Sequence, residues 1–339
     1  MRTRTKAGIV VLAAVLSLLA GAGIGSVSVS PADICRVLAN RLFGLPLPEN
    51  FSSVTPGLVL NIRLPRVTLS FAAGAAAAMG GVVMQSVLKN PLASPYGLGV
   101  SSGAGLGAAL VIVSGLGAGA LGTLALPAVS LAFGLATVGA AIFLSSRLDR
   151  SLSNNTIILT GMVLSLFTNA LMSTVSAANP EYSQRILLWQ LGSFSGRGWE
   201  ASAMVAAVAA VCLVGFLRLS PELDAMTFGE EQARALGVEL RRVKWVLIVL
   251  VAALTGTSVA FAGVIGFVDL IAPHVVRRFF GARHRLVLPM AALLGGAFMT
   301  VCDLAARTLA SPSEIPVGSI TALIGAPFFL YVYFSHRRR

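Results

Sequence analysis

Residues Gly263 to Phe329 read GVIGFVDLIAPHVVRRFFGARHRLVLPMAALLGGAFMTVCDLAARTLASPSEIPVGSITALIGAPFF. Apolar runs of helix length are interrupted here at set points by Gly, Pro, His and clustered Arg. Roughly 20 consecutive apolar residues cross a bilayer as a helix, so the stretch reads as membrane spans. Working outward, apolar windows recur at 7–29, 67–88, 97–114, 121–145, 154–177, 200–219, 243–264, 266–280, 286–309 and 316–335. The spacing predicts an all-α polytopic membrane protein of about ten transmembrane helices, one membrane domain over residues 1–339. Residues 243–280 as one helix would be about 57 Å long, nearly twice the hydrocarbon thickness. The chain must therefore fold back, with Gly263 and Gly266 as the break.

Composition agrees. The 339 residues are 56% hydrophobic and 11% charged, against about 25% charged in soluble domains. The net charge of +12 does not indicate nucleic acid, because the basic residues sit singly or in short clusters between apolar runs. Arg2, Arg4 and Lys6 before the first run could mark a cleaved leader, but the run from Ala7 to Val29 is long enough to span, and it is read as a retained first helix. Cys35, Cys212 and Cys302 lack metal-site or CxxC spacing, and no disulfide or metal is expected.

With the N-terminus inside, 18 of the 25 Lys plus Arg fall on the cytoplasmic side, from Arg2 and Lys6 through Arg150 and Arg277 to Arg337, Arg338 and Arg339. The seven on the other side are Arg36, Arg41, Arg63, Arg66, Arg185, Arg197 and Arg307. The positive-inside rule selects this orientation, with both termini cytoplasmic. Two segments lie outside the spans: an external loop at 30–62 with one short helix at 31–43, and a cytoplasmic segment at 218–242.

The motifs exclude several chemistries. Gly103, Gly105 and Gly107 have no preceding strand and read as close helix packing rather than a dinucleotide loop. None of the three lysines, Lys6, Lys89 and Lys244, follows a glycine as a P-loop requires. Of the histidines, His284 and His336 are placed in basic cytoplasmic ends, and His274 after Pro273 is read as bonding a carbonyl the proline frees. No nucleophile with a neighbouring base is legible. Asp269 and Asp303 are intramembrane acids; Arg307, one turn after Asp303, is spaced for a salt bridge, and Asp269 has no partner in its own helix. A proton relay would need a chain of such acids. In the cytoplasmic segment, Glu230 to Leu236 reads as a short helix with acids at its N-terminus, Gly237 stops it, and Ala233 and Leu236 share a face. Such a helix suits a cleft on a partner.

These phrases, in order, resemble the FecCD-type permeases, the membrane subunits of ATP-driven importers for iron-siderophores, haem and cobalamin. The resemblance runs from Arg63 to Tyr331 through RLPR (Arg63–Arg66), MGGVVMQSVLKNPLASPYGLGVSSGAG (Met79–Gly105), FGEEQARALGV (Phe228–Val238), GVIGFVDLIAPHVVR (Gly263–Arg277), HRLVLP (His284–Pro289), DLAAR (Asp303–Arg307) and EIPVGSITALIGAPFFLY (Glu314–Tyr331). It implies the type II ABC importer permease architecture in a bacterial cytoplasmic membrane. The expected partners are a second permease subunit, most simply a second copy, two ATPase subunits and an extracytoplasmic binding protein. No cofactor is expected on this chain; ATP and Mg belong to the ATPase.

Residue by residue, Arg63, Arg66 and Arg307 match arginines that meet acidic groups of the binding protein. Gly229, Glu230, Glu231, Ala233, Arg234, Leu236 and Gly237 match the segment that seats in the ATPase. Asn90, Leu92, Ser153 and Asn154 match the cytoplasmic gate. Ser165, Thr168, Asn169 and Met172 on the fifth span are pathway candidates, being small or mildly polar. Asp269 departs from the family, where many relatives carry a small residue. An iron-siderophore is the first expectation for cargo, with haem or cobalamin as alternatives. A proton-coupled secondary transporter is the reading from another class.

Overall fold

The computed structural model describes residues 3–25, 27–48, 51–116, 122–149 and 153–337. Arg2, Arg150, Arg338 and Arg339, which entered the charge argument, lie outside the described residues, as does Leu121 at the start of the fourth expected span. Among the described residues the regular elements are all helical. They are α1 (Thr3–Gly23), α2 (Pro31–Phe43), α3 (Leu64–Val87), α4 (Val100–Ser114), α5 (Ala125–Leu148), α6 (Asn154–Ala178), α7 (Pro180–Gln190), α8 (Trp199–Arg218), α9 (Ser220–Thr227), α10 (Glu230–Ala235), α11 (Leu240–Ala262), α12 (Val268–Phe280), α13 (His284–Thr308) and α14 (Val317–Arg337). A short turn at Val54–Gly57 and a π-helical turn at Leu58–Arg63 lead into α3.

Seven of these helices, α1, α3, α5, α6, α8, α11 and α13, are long and apolar enough to cross a membrane. The shorter α4 and α12, with the 21-residue α14, occupy the other three expected spans. Helix α3 runs through the middle, buried at nearly every position from Pro65 to Val87. Its small residues permit this: a Cβ on Gly295 of α13 would sit 2.6 Å from the Gly74 carbonyl oxygen, so the two backbones touch. Gly103 and Gly107 of α4 likewise face α5, the packing role their spacing predicts.

The short helices are short because the chain between them bends inside the bundle. In 88–99 the Ser94 hydroxyl donates to Asp269, and the Tyr96 hydroxyl donates to the Ile265 carbonyl at 2.8 Å. Three other breaks knit together through the backbone: Ser193 N–H to the Ala262 carbonyl at 2.8 Å, Gly318 N–H to Leu191 at 3.0 Å and Val317 N–H to Gly192 at 3.3 Å. Irregular backbone at membrane depth persists only where protein satisfies it, and these bonds do so. Gly263 takes φ 79° at the end of α11, and a Cβ there would sit 2.7 Å from the Gly192 Cα. The predicted break therefore falls over residues 263–267, which include both Gly263 and Gly266, and of the two only Gly263 is sterically required.

Two elements differ from the sequence reading. The eighth expected span, 266–280, is only the 13-residue α12, too short to cross alone. Helix α7 was not foreseen, because PEYSQRILLWQ carries charges that a hydropathy window rejects.

The bundle has two chemically distinct ends. At one, Lys6 bonds the Phe279 carbonyl at 2.9 Å, Arg277 meets Ser86, and Lys244 meets Asn154. This end gathers basic residues that the charge rule had grouped. At the other lie Arg63, Arg66 and Arg307. Arg63 donates to the carbonyls of Ala22 and Gly23 at 3.0 and 2.7 Å and to Val27, while Arg307 donates to Gly21. The last turn of α1 leaves carbonyls without intrahelical partners, and these cations satisfy them. The partner of Asp303 is chiefly Arg66 rather than the expected Arg307. Arg66 Nη2 lies 2.9 Å from Asp303 Oδ1 and Nη1 lies 2.7 Å from Glu314 Oε1, whereas Arg307 Nε stays 3.9 Å from Asp303. One guanidinium thus ties α3, α13 and the segment after α13.

Arg66→Met should strand the buried Asp303 carboxylate and cost about 3–5 kcal/mol, the range for breaking a buried pair from one side. Thermal unfolding in detergent checks this, and the double change Arg66→Met/Asp303→Leu should recover part of the loss. The bond from Arg66 holds the Glu314 carboxyl below its ordinary 4.5. Its contribution is accordingly complete above that value and lost as pH falls through the lower folded value. Glu314→Gln should flatten the acid limb of the stability profile.

Candidate functional site

The segment between α8 and α11 projects from the bundle as two short helices. Met226 and Leu223 of α9 and Ala233 of α10 are fully buried against the core, which anchors both. Gly229 sits between them at φ 135°, a conformation L residues rarely adopt, and a Cβ there would run into Gln232. Gly237, at φ 85°, ends the pair. Ala233 and Leu236 do not share a face: Ala233 is 0% exposed and Leu236, just past the helix, is 71% exposed. Only Leu236 is presented outward. With it stand Phe228, 76% exposed, and the exposed Glu231 and Arg234. Two large apolar side chains among charges on this helix pair form a small exposed knob, and Phe228 was not among the expected site residues.

Two polar joints fasten this knob to the membrane helices. Asp224 of α9 accepts from the His284 backbone N–H at 2.9 Å and lies 2.6 Å from His284 Nδ1. His284 Nε2 in turn lies 2.6 Å from the Ser86 hydroxyl. The histidine read as part of a basic end is therefore buried, because it starts α13 against α3. The Ser86, His284 and Asp224 series has the order of a hydrolytic triad. Ser86, however, is buried, lies 3.0 Å from its Val82 carbonyl acceptor, and receives Arg277 at 3.1 Å, so it is a helix-to-helix connection rather than a presented nucleophile. In the second joint Lys244 Nζ lies 2.9 Å from Glu230 Oε1 and 3.0 Å from Asn154 Oδ1. Sequence spacing hides this contact, since the partners are 14 and 90 residues away.

The gate residues lie at the same end. Asn90 Oδ1 accepts from Leu92 N–H at 2.9 Å in a tight turn, and Leu92 is exposed. Ser153 caps nothing but bonds Thr156 at 2.9 Å, and Asn154 starts α6. The segment after α3 rests on α6, where a Cβ on Gly161 would meet the Gly97 carbonyl at 2.6 Å. Both pieces thus border one helix.

The pathway candidates divide. Thr168 is buried and donates to Ser102 of α4 at 2.8 Å, and Met172 is buried against Gly105. Ser165 is half-buried beside Gly99, and Asn169 alone of the four is exposed. The open face of α6 carries Leu159, Met162, Val163, Leu166 and Phe167 around Asn169. As for Arg63, Arg66 and Arg307, the fold brings all three to one end but spends them inside, at 4%, 8% and 9% exposure. The exposed arginines of that end are Arg36, Arg41 and Arg185.

Asp269 is buried and held by Ser94, and His274 packs edge-on to Phe328 with ring centroids 6.4 Å apart. Among the described residues no three His, Cys, Asp or Glu side chains converge as a metal site would need.

Residues 10–335 match the model of the FecCD transport family. The permease protein YvrB of Bacillus subtilis is 38% identical over 95% of this chain and 91% of its own. The hemin transport system permease protein HmuU of Yersinia pestis is 36% identical over 83% of this chain and 84% of its own. The molybdate import system permease protein MolB of Haemophilus influenzae is 35% identical over 97% and 94%. A solved inward-facing metal-chelate type ABC transporter superposes with a TM-score of 0.85 at 31% identity, covering 98% of this chain and 99% of that one. The projecting knob, the braced opposite end and the helical bundle between them thus belong to a multi-pass transport subunit rather than an enzyme, and the chain is a member of the FecCD family of ABC importer permeases.

Proposed function

We propose that this permease imports an iron(III) chelate, most simply an iron-siderophore complex, across a bacterial cytoplasmic membrane by alternating access. The observation that best supports the importer reading is the knob of Phe228, Leu236, Glu231 and Arg234, exposed at the basic end of a bundle with a family match over residues 10–335. Under the positive-inside rule that end is cytoplasmic, with both termini. Two ATPase subunits bind there and hold the ATP and Mg; a second permease copy completes the pathway; a binding protein delivers cargo at the arginine end.

The geometry refines the roles. Arg63, Arg66 and Arg307 hold the docking end in shape, and exposed Arg41 and Arg185 are the groups positioned to meet acidic side chains of the binding protein. The pathway follows the open face of α6 at Asn169, between two copies, since Thr168 and Met172 pack inward. That face carries no charge, which suits passage of a large ligand without retention.

A relative acting on ferric citrate, the Fe(3+)-citrate import system permease protein YfmE of Bacillus subtilis, is 35% identical over 96% of this chain. Haem, cobalamin and molybdate are carried by other relatives by name. The proton-coupled alternative draws less support, because Asp269 and Asp303 each have local partners, Ser94 and Arg66.

Phe228→Ala/Leu236→Ala should weaken co-purification of the ATPase by about tenfold or more, given that a few buried apolar anchors carry most of such an interface. Undiminished assembly would remove the knob from the interface. Vesicles holding the complete complex with its binding protein should accumulate an iron(III)-siderophore in preference to haem, cyanocobalamin and molybdate. Preference for one of those three would reassign the cargo and keep the importer.

A further inference from the structure

The cation Lys244 is 1% exposed, and neither its burial nor its partners follow from its place in the sequence Arg241-Arg242-Val243-Lys244-Trp245. Burying an ammonium is costly unless it is paired and hydrogen-bonded. Its ammonium is held by Glu230, the first residue of the projecting helix α10, and by the amide oxygen of Asn154, the first residue of α6. The carboxylate sits where the α10 dipole favours a negative charge. From the other side, Asn154 opens the helix whose uncovered face bears Asn169.

Helix α10 has six residues and one buried side chain, Ala233. Its position relative to α11 is therefore set by few contacts, of which the Lys244 to Glu230 ion pair, at 2.9 Å, is the charged one. A rigid-body shift of α10 by about the length of a hydrogen bond must either carry the ammonium with it or part it from the Glu230 carboxylate. Both results change what Asn154 feels.

On the importer reading above, we infer that Lys244 is the positioning residue that couples the ATPase-facing helix to the cytoplasmic gate. Displacement of α10 by the closing ATPase is transmitted through one ammonium to the N-terminus of α6. The second joint, from Asp224 to His284, engages α13 and α3 instead and holds the base of the knob. The two joints have different targets, one a hinge and the other a lever arm. Coupling of this kind needs a two-state element that both sites bias, and the Glu230, Lys244 and Asn154 contact is a discrete element that can be made or parted.

The test uses the complete complex of permease, ATPase and binding protein in lipid nanodiscs. The exposed Asn155→Cys, in a Cys35→Ser background, reports on the gate through its rate of modification by a polar maleimide. The parent complex should show about a tenfold difference in rate between the nucleotide-free and ATP-vanadate states, within the usual range of coupling between sites. Absence of any difference in the parent would count against the importer reading itself. Lys244→Met should abolish the difference while ATP hydrolysis by the assembled complex continues. The exchange Glu230→Lys/Lys244→Glu should restore it, because the Asn154 amide can donate as well as accept, and a merely space-filling lysine would not be rescued by that exchange. Should Lys244→Met fail to assemble, Asn154→Ala cuts only the gate arm and is read the same way. A full nucleotide-dependent difference in Lys244→Met or Asn154→Ala would overturn the inference.

Discussion

Every backbone polar group placed within a hydrocarbon slab must find its partner inside the protein, and this requirement organises the whole chain. It explains the bends after α7, after α11 and before α14, which bond each other through Ser193, Ala262, Gly192 and Val317. It also explains the cations. Arg63 and Arg307 finish α1, Arg66 neutralises Asp303, Arg277 reaches the carbonyl of Val82, and Lys244 bridges Glu230 and Asn154. Charges near the ends of the bundle are thus spent as internal fasteners, and the parts able to move are those fastened by the fewest of them.

This division separates two kinds of motion. The arginine end joins α1, α3 and α13 through several simultaneous bonds and behaves as a fixed frame. The knob at the other end is anchored by buried Leu223, Met226 and Ala233 and by polar contacts at Asp224 and Glu230, and it exposes Phe228 and Leu236. Work delivered to such a knob reaches the bundle through those contacts.

Much of the architecture was legible in the sequence because hydropathy and helix length are one-dimensional properties. Ten apolar windows became ten helices, length required a break that the glycines at 263 and 266 located, and the helix at 31–43 appears as Pro31–Phe43. What stayed hidden depends on burial and on distant pairing. The pairing of Arg66 with Asp303 joins residues 237 apart, which no local spacing reveals. His284 reads as one more basic end residue until α13 is set against α3. Ala233 and Leu236 are three apart, but the helix stops between them, so the shared face does not exist. Thr168 and Met172 look like pathway residues until α4 is placed across them.

The central claim is that this chain supplies a path while a separate ATPase supplies the work. The direct measurement is accumulation of radiolabelled iron(III) chelate in sealed proteoliposomes, comparing the permease alone with the permease assembled with its ATPase and binding protein and given internal or external ATP on the ATPase side. The account predicts accumulation above the external concentration only in the assembled complex with hydrolysable ATP. Uphill accumulation by the permease alone, driven by a proton gradient, would contradict it.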